Sequence, residues 1–356
     1  MRNENNQIIL ITGNLGYIGF ELAKYLKKKN KKLFIIGYDV GYYRKNFFQE
    51  SDIKKYIDYQ IYSDLRDQNF KDLEKFQIDT IFHLAAVSND PMGSFFTKPT
   101  KEINTVSSKK LIDWAKNNGI KKFVFASSCS VYGFSSKMCN EKSKTNPLTE
   151  YAKSKFKIET YLRKKCNSKF KALVLRFSTA CGASSMLRLD LVLNDFVASA
   201  LASNEIKLLS DGNSLRPLID VEDMIKAFSW AGNLNVNNFV CVNVGNEKMN
   251  YKIVELAHLV KKYLPNAKIS INSANKDYRS YKVNFTKYKK LFPGYKNMKD
   301  AKYSITKLIY MISKKKFRDK NFRLGNFMRL VSLKNQIFKK KINNNLKILD
   351  EKKYYN

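Results

Sequence analysis

The chain alternates between two kinds of hydrophobic pattern. Continuous apolar runs at QIILITG (7–13), KLFIIGYD (32–39), IDYQIYSDL (57–65), TIFHLAA (80–86), KKFVFASS (121–128) and KALVLRFS (171–178) each predict a buried strand. Helical patterns stand between them. FELAKYLKKKN (20–30) carries Phe20, Leu22, Ala23 and Leu26 ahead of a basic end, and TVSSKKLIDWAKNNG (105–119) runs to a glycine stop. Buried strands separated by helices predict an α/β fold, a doubly wound parallel sheet with both faces covered, over about residues 5–180.

The pattern loosens beyond residue 180. Short strands are expected at 206–212 and 216–220, a helix at 221–233, a strand at 238–245 and a helix at 254–264. The division that follows is a sheet domain at 1–180, with some later segments (about 216–250) returning to it, and a smaller α/β substrate lobe at 181–312. Residues 313–356 form a basic tail of helix-like pattern. Its apolar positions are Phe327, Met328, Leu330, Val331 and Leu333, then Ile337, Phe338 and Ile342.

Composition narrows the class. The 356 residues are 44% hydrophobic, enough for a large core. No window of about 18 apolar residues suggests a transmembrane helix. The N-terminus, MRNENNQIILITG, is polar and turns straight into a strand, unlike a signal peptide. Cys129, Cys139, Cys166, Cys181 and Cys241 form no CxxC pair, and the only histidines are His83 and His258. A metal site is not expected, and a reduced, cytoplasmic setting is. The formal charge is +35, of which +13 lies in residues 301–356. The basic excess runs along the whole chain, so it reads as compositional bias and nucleic acid is not expected as a partner. Phe and Leu among the tail lysines leave contact with a membrane surface open. A nucleotide substrate would also be drawn to such a field.

The candidate chemistry begins at the first strand, which runs directly into TGNLGYIG and then a helix. Gly13, Gly16 and Gly19 have the spacing of a loop that carries a dinucleotide pyrophosphate onto a helix N-terminus. Asp39 ends the second strand, where an acid holds the adenosine ribose of NAD and repels a 2′-phosphate. Arg44 and Lys45 follow it and leave NADP as the alternative. Asp64 and Leu65, after the third strand, are placed to flank the adenine.

Tyr151 and Lys155 in EYAKSKFKIETYL share one helix face. Tyr has a reference pKa of about 10, and a neighbouring ammonium lowers it, so the pair makes a candidate proton-transfer group. The serine-rich end of the fifth strand, SSCSVYG (127–133), could hold a substrate oxygen. His83 reads as sheet packing, and His258 has no role.

As a set, TGNLGYIG, Asp39, HLAAVSNDP (83–91), Asn104, SSCSVYG, YAKSK, RPLIDVEDM and DYRSYKVNF (277–285) resemble the extended short-chain dehydrogenases/reductases with a Rossmann sheet. The branch is that of NAD-dependent nucleotide-sugar epimerases and dehydratases. The resemblance covers about residues 10–300. It implies Ser128, Tyr151 and Lys155 as catalytic residues. It implies cofactor contacts at Gly13, Leu15, Gly16, Tyr17, Ile18, Gly19, Asp39, Asp64, Leu65, Leu84, Ala85, Ala86, Asn104 and Lys155. Substrate contacts are implied at Ser88, Ser128, Asn194, Arg216 and Arg279. Arg188, Asp190, Asn89 and Asp90 stand near the implied sugar pocket. Where 4,6-dehydratases of the branch resemble one another in an Asp-Glu pair, this chain has Cys129 and Ser130, and Cys129 reads as a packing residue. The implied activity is a nucleotide-sugar epimerase acting at C4. A 4-keto-sugar reductase and a non-catalytic nucleotide- or RNA-binding member of the fold remain alternatives. A homodimer through helices at 105–118 and 150–165 is also implied by the resemblance.

Overall fold

The computed structural model describes residues 7–48, 52–67, 70–274 and 280–355. Seven strands form one all-parallel sheet: β1 (Ile8–Thr12), β2 (Phe34–Asp39), β3 (Tyr59–Tyr62), β4 (Thr80–His83), β5 (Lys122–Ser128), β6 (Lys171–Phe177) and β7 (Phe239–Val244). Their order is β3-β2-β1-β4-β5-β6-β7. The chain reverses direction across the sheet between β1 and β4. In a doubly wound sheet that switch point opens a crevice at the strands' C-terminal ends. The apolar runs of the sequence are these strands, shortened at their ends by loops. β7 comes from beyond residue 180 and pairs with β6 from Phe239↔Ala172 to Val244↔Phe177.

Both faces of the sheet are covered, which is why the strands carry no alternation. Helix α1 (Gly19–Lys29) buries Phe20, Leu22, Ala23 and Leu26, and keeps Lys27, Lys28 and Lys29 at its C-terminal end, where cations complement the helix dipole. The opposite face carries α2 (Ser108–Asn117) and α3 (Glu150–Lys165). The turn before α2, Glu102–Ser107, winds as a π-helix, so the long helical pattern of the sequence is helical throughout but not uniformly α.

The second lobe has its own core. Helix α4 (Val192–Ser203) packs against α6 (Ile253–Tyr263) and α7 (Ala301–Lys314). Helix α5 (Val221–Asn233), capped by the Asp220 carboxylate, instead returns to the sheet beside α1. Two short parallel pairs were not expected: Phe134–Cys139 with Ser280–Val283, and Glu205–Leu208 with Lys268–Ile271.

The tail differs most from expectation. It is not one helix. Helix α8 (Arg329–Phe338) is followed by turns and a bridge between Ile342 and Ile348. Leu333, Ile342 and Leu346 are buried against Val87, Met92, Phe96 and Ile103 of the sheet domain. Apolar side chains that suggested a membrane surface are therefore spent partly inside the protein, while Leu324 and Phe338 stay exposed. Among the described residues no helix is long and apolar enough to cross a membrane.

Candidate active site

The crevice is a single cavity of about 700 Å³, walled by both lobes and the tail. Its floor is the glycine loop. Gly13 has φ +75, and a Cβ there would sit 2.7 Å from the Ala85 backbone nitrogen. A Cβ on Gly19 would lie 2.2 Å from the Gly13 carbonyl oxygen. Only glycine fits either place, so α1 can start close under the loop. Gly16, Tyr17, Ile18, Leu84, Ala85 and Ala86 line the same wall. Leu15 does not: its side chain is buried, and its amide donates to Asp39 Oδ2 at 3.1 Å. Tyr17 donates through Oη to the Gly182 carbonyl at 2.7 Å and ties the loop to the second lobe.

Asp39 faces the cavity with its second oxygen accepting from Gly41 N at 2.7 Å. Burial pushes its carboxyl up, and those two amide hydrogen bonds oppose the rise. Arg44 is not available for a 2′-phosphate. It lies over the rings of Tyr62 (5.7 Å), Tyr354 (5.9 Å) and Tyr355 (5.2 Å) and donates to the Tyr354 carbonyl. Lys45 is exposed. A glycine cradle, a carboxylate at the end of β2 and an engaged Arg44 fit NAD. The Asp64 side chain is not free for an adenine: Arg66 (2.6 Å) and Lys347 (3.6 Å) pair with it, while Asp64 and Leu65 still line the cavity.

Ser128, Tyr151 and Lys155 meet in the cavity wall. Ser128 ends β5, where its Oγ accepts from Ser130 N at 3.1 Å and acts on the Tyr151 hydroxyl to favour its ionised form. Tyr151 stands in the first turn of α3, a turn fixed by Thr149, whose Oγ1 accepts from Ala152 N at 3.1 Å. Lys155 is one turn on, its Nζ 5.5 Å from the Tyr151 ring centre and donating to the Ala126 carbonyl at 2.7 Å. The expected lowering of Tyr151 is reversed. Burial, aided by Asp90, pushes Tyr151 up to about 12, against the Ser128 hydrogen bond and the Arg188 charge. Burial also pushes Lys155 down to about 7, against Glu159. Desolvation outweighs the neighbouring charges here because both groups have left water.

Beneath them lies a buried ion pair. Arg176 holds Glu159 through Nη2 at 2.6 Å, and Glu159 accepts from Ser127. Arg176 Nη1 also donates to Tyr132 Oη at 3.0 Å. Removing one partner of such a pair leaves a stranded charge and costs about 3–5 kcal/mol. Cys129 is fully buried, its thiol pushed up by burial and donating to the Arg176 carbonyl at 3.2 Å, consistent with packing. His83 bonds Thr12 (2.7 Å) and Ser108 (2.8 Å), and burial pushes it down to about 3, so it is a neutral sheet residue.

Two of the expected contacts act as braces instead. Asn104 uses both ends of its amide on Val87 N (2.8 Å) and Val87 O (3.0 Å) and is off the cavity. Asn194, expected at the sugar, is fully buried. It accepts from Gly182 N (2.9 Å) and donates to Arg188 O (2.9 Å), so it fastens the 182–188 loop. Its amide is satisfied by backbone, which periodicity on α4 could not reveal. Ser88 and Arg216 do line the cavity. Ser88 Oγ accepts from Arg188 at 3.1 Å, and Arg188 also pairs both Asp190 oxygens at 2.9 Å. Asn89 joins Asp190 at 2.8 Å. Arg279 lies outside the described residues. Ser130, in the serine-rich strand end singled out from the sequence, lines the cavity, and among the described residues its buried Oγ has no hydrogen-bond partner; Arg329 in the tail also lines the cavity and was missed. Nothing local flagged Arg329.

Residues 9–245 match the profile described as the NAD dependent epimerase/dehydratase family. The chain is 28% identical to dTDP-D-glucose 4,6-dehydratase of Dictyostelium discoideum, over 62% of this chain and 54% of that protein, about half its length. It is 26% identical to UDP-glucuronate 4-epimerase of Thermodesulfobacterium geofontis, over 72% of this chain and 80% of that one. The fold is shared with MoeE5, solved with UDP-glucuronic acid and NAD, at TM-score 0.74 and 21% identity, over 86% of this chain and 99% of that one.

Proposed function

The chain belongs to the NAD-dependent epimerase/dehydratase family of enzymes, and from that premise we propose that it is a nucleotide-sugar epimerase acting at C4. The observation that carries this is the convergence of Ser128, Tyr151 and Lys155 on one cavity that runs from the glycine loop to Arg216. NAD would supply reversible hydride uptake at the sugar carbon. Tyr151 takes the hydroxyl proton from C4 as that carbon is oxidised, and returns it after the keto sugar has turned its other face. Ser128 holds the sugar oxygen and its hydroxyl favours the ionised form of Tyr151. Lys155, held against the Ala126 carbonyl, adds positive charge beside the phenolate when protonated. Arg216, which lines the same cavity, suits a diphosphate because its fork pairs two oxygens.

A 4,6-dehydratase, the activity named for the Dictyostelium relative, needs a second acid–base pair near the sugar. The positions after Ser128 hold Cys129, buried and turned to a carbonyl, and Ser130. Neither does that work near neutral pH. A 4-keto-sugar reductase would use the same three residues but must exchange its cofactor each turnover. The tail, packed beside the cofactor side of the cavity, favours retention and therefore the epimerase.

The test is product analysis by NMR on a panel of UDP-, GDP-, CDP- and dTDP-sugars, with and without added NADH or NADPH. The expected outcome is conversion of a sugar to its C4 epimer with no added reductant. Turnover of keto sugars alone, one reduced nucleotide per product, overturns the reading in favour of the reductase. Tyr151→Phe is expected to lower kcat about 10²–10⁴-fold, the span of general acid–base catalysis, while NAD binding holds.

A further inference from the structure

The tail contributes a charged group that neither the family profile, which ends at residue 245, nor the expected site contains. Arg329 opens α8 and is 2% exposed. Its Nη2 donates to the Met186 carbonyl at 3.2 Å, and its guanidinium lies 3.9 Å from the Tyr43 ring centre. Among the described residues its Nη1 has no hydrogen-bond partner and no carboxylate forms an ion pair with it. A buried cation in that condition is costly unless an anion completes it. Burial pushes Arg329 down to about 10, which leaves it charged at neutral pH. It lines the same cavity as the glycine loop and Asp39. The first turn of α8 also lacks a side-chain cap, so its amides face the same anion-favouring end of the helix.

The tail is fastened to the cofactor side of that cavity. Tyr42 donates to the Leu346 carbonyl, and Arg66 donates to the same carbonyl at 2.9 Å. Gln336 donates to the Tyr42 carbonyl at 3.0 Å, and Lys347 pairs with Asp64. Leu346 sits at φ +55, a conformation that costs a non-glycine residue about 1–2 kcal/mol, and its doubly bonded carbonyl holds it there.

We propose that residues 329–355 form a strap over the dinucleotide, with Arg329 as its ligand for the diphosphate. This rests on the dinucleotide-site reading above. The groups around Arg329 favour the dinucleotide over the nucleotide sugar as the source of that diphosphate. Tyr43, whose ring lies under the guanidinium, is in the loop that follows Asp39, the last residue of β2, and Asp39 is among the charges that act on Arg329, along with Arg188 and Asp190. The strap makes NAD a retained group, as a self-regenerating epimerase requires.

The experiment measures dissociation constants of the full-length protein, freed of cofactor, for NAD, ADP-ribose, adenosine and UDP. The parent is compared with Arg329→Gln, Arg329→Lys and Lys339→Gln. Lys339→Gln, exposed at the far end of α8, controls for loss of charge. Arg329→Gln should weaken NAD and ADP-ribose about 10–100-fold, the usual worth of a charge-assisted bond, and leave adenosine and UDP unchanged. Arg329→Lys should recover part of the loss, and Lys339→Gln should match the parent. Equal NAD affinity in Arg329→Gln and parent overturns the assignment while leaving the dinucleotide site intact. Loss of UDP binding alone gives Arg329 to the substrate and also overturns it. Equal weakening of adenosine marks a general collapse of the site and counts against a diphosphate contact. No NAD bound by the parent overturns both this inference and the site reading.

Discussion

The two walls of the cofactor cleft are built from opposite materials. The inner wall, from the glycine loop to the end of β4, is backbone and small side chains: Gly13, Gly16, Gly19, Ala85 and Ala86. The outer wall is the tail with the loop after β2, and it is made of large side chains, aromatic, aliphatic and charged: Tyr42, Tyr43, Leu330, Leu333 and Arg329. The inner wall tolerates no added atom because strands and helix are packed at van der Waals contact. The outer wall is held by hydrogen bonds between chain ends. Close approach of backbone to a ligand selects glycine, whereas enclosing a ligand from outside selects reach. The family profile covers the inner wall and stops before the tail.

That contrast can be broken at its strongest point first. Gly19→Ala puts a methyl 2.2 Å from the Gly13 carbonyl and 2.8 Å from Asn14 Cα, both backbone. It should cost on the order of 4–5 kcal/mol in urea unfolding and abolish NAD binding. A variant that unfolds like the parent would mean the loop is looser than its contacts imply.

Lys155 tests how far desolvation controls the inner wall. Its folded pKa, about 7, lies below its ordinary value of about 10.5. Between those values the unfolded chain binds the proton that the folded protein has released. The cofactor-free protein should therefore gain stability as pH rises from about 7 toward 10.5, and carry the full penalty below 7. Lys155→Met removes the group, so it should raise stability by up to about 5 kcal/mol at pH 6 and flatten this rise. Chemical denaturation at pH 6, 8 and 10 reads this. An unchanged slope in the variant would place the titration on another residue.

The smallest expected effect sharpens the outer wall. Leu346 is fully buried, and Leu346→Ala should cost about 2–3 kcal/mol, felt locally. Amides of 329–355 should exchange faster with deuterium, while those of β1, β4 and β5 keep their protection. Uniform loosening of the sheet would show that strap and sheet unfold as one unit.

Much of the inner wall was legible in the sequence. Continuous apolar runs gave the strands, since a strand buried on both faces needs no polar alternation. The spacing from Gly13 to Gly19 gave the loop, and the four-residue step from Tyr151 to Lys155 gave a shared helix face. At the site, the errors were of partnership and desolvation. Asn194 stood near the cavity in sequence, but its amide went to Gly182 and Arg188. Arg44 looked ready for a phosphate and was instead stacked by Tyr354 and Tyr355. Tyr151 was expected to fall beside an ammonium and rose through burial.

The sequence by itself determined what local periodicity and covalent spacing can specify: the sheet, the glycine loop, and the placing of Tyr151 against Lys155. Tertiary structure decided which groups were desolvated and which were already spoken for. Tyr42 and Leu346 bond across 304 residues, and Arg329 reaches the cleft from beyond the second lobe. Contacts at that separation leave no periodic trace in the chain. They exist because burying the tail's apolar side chains against the sheet domain offsets the cost of ordering it.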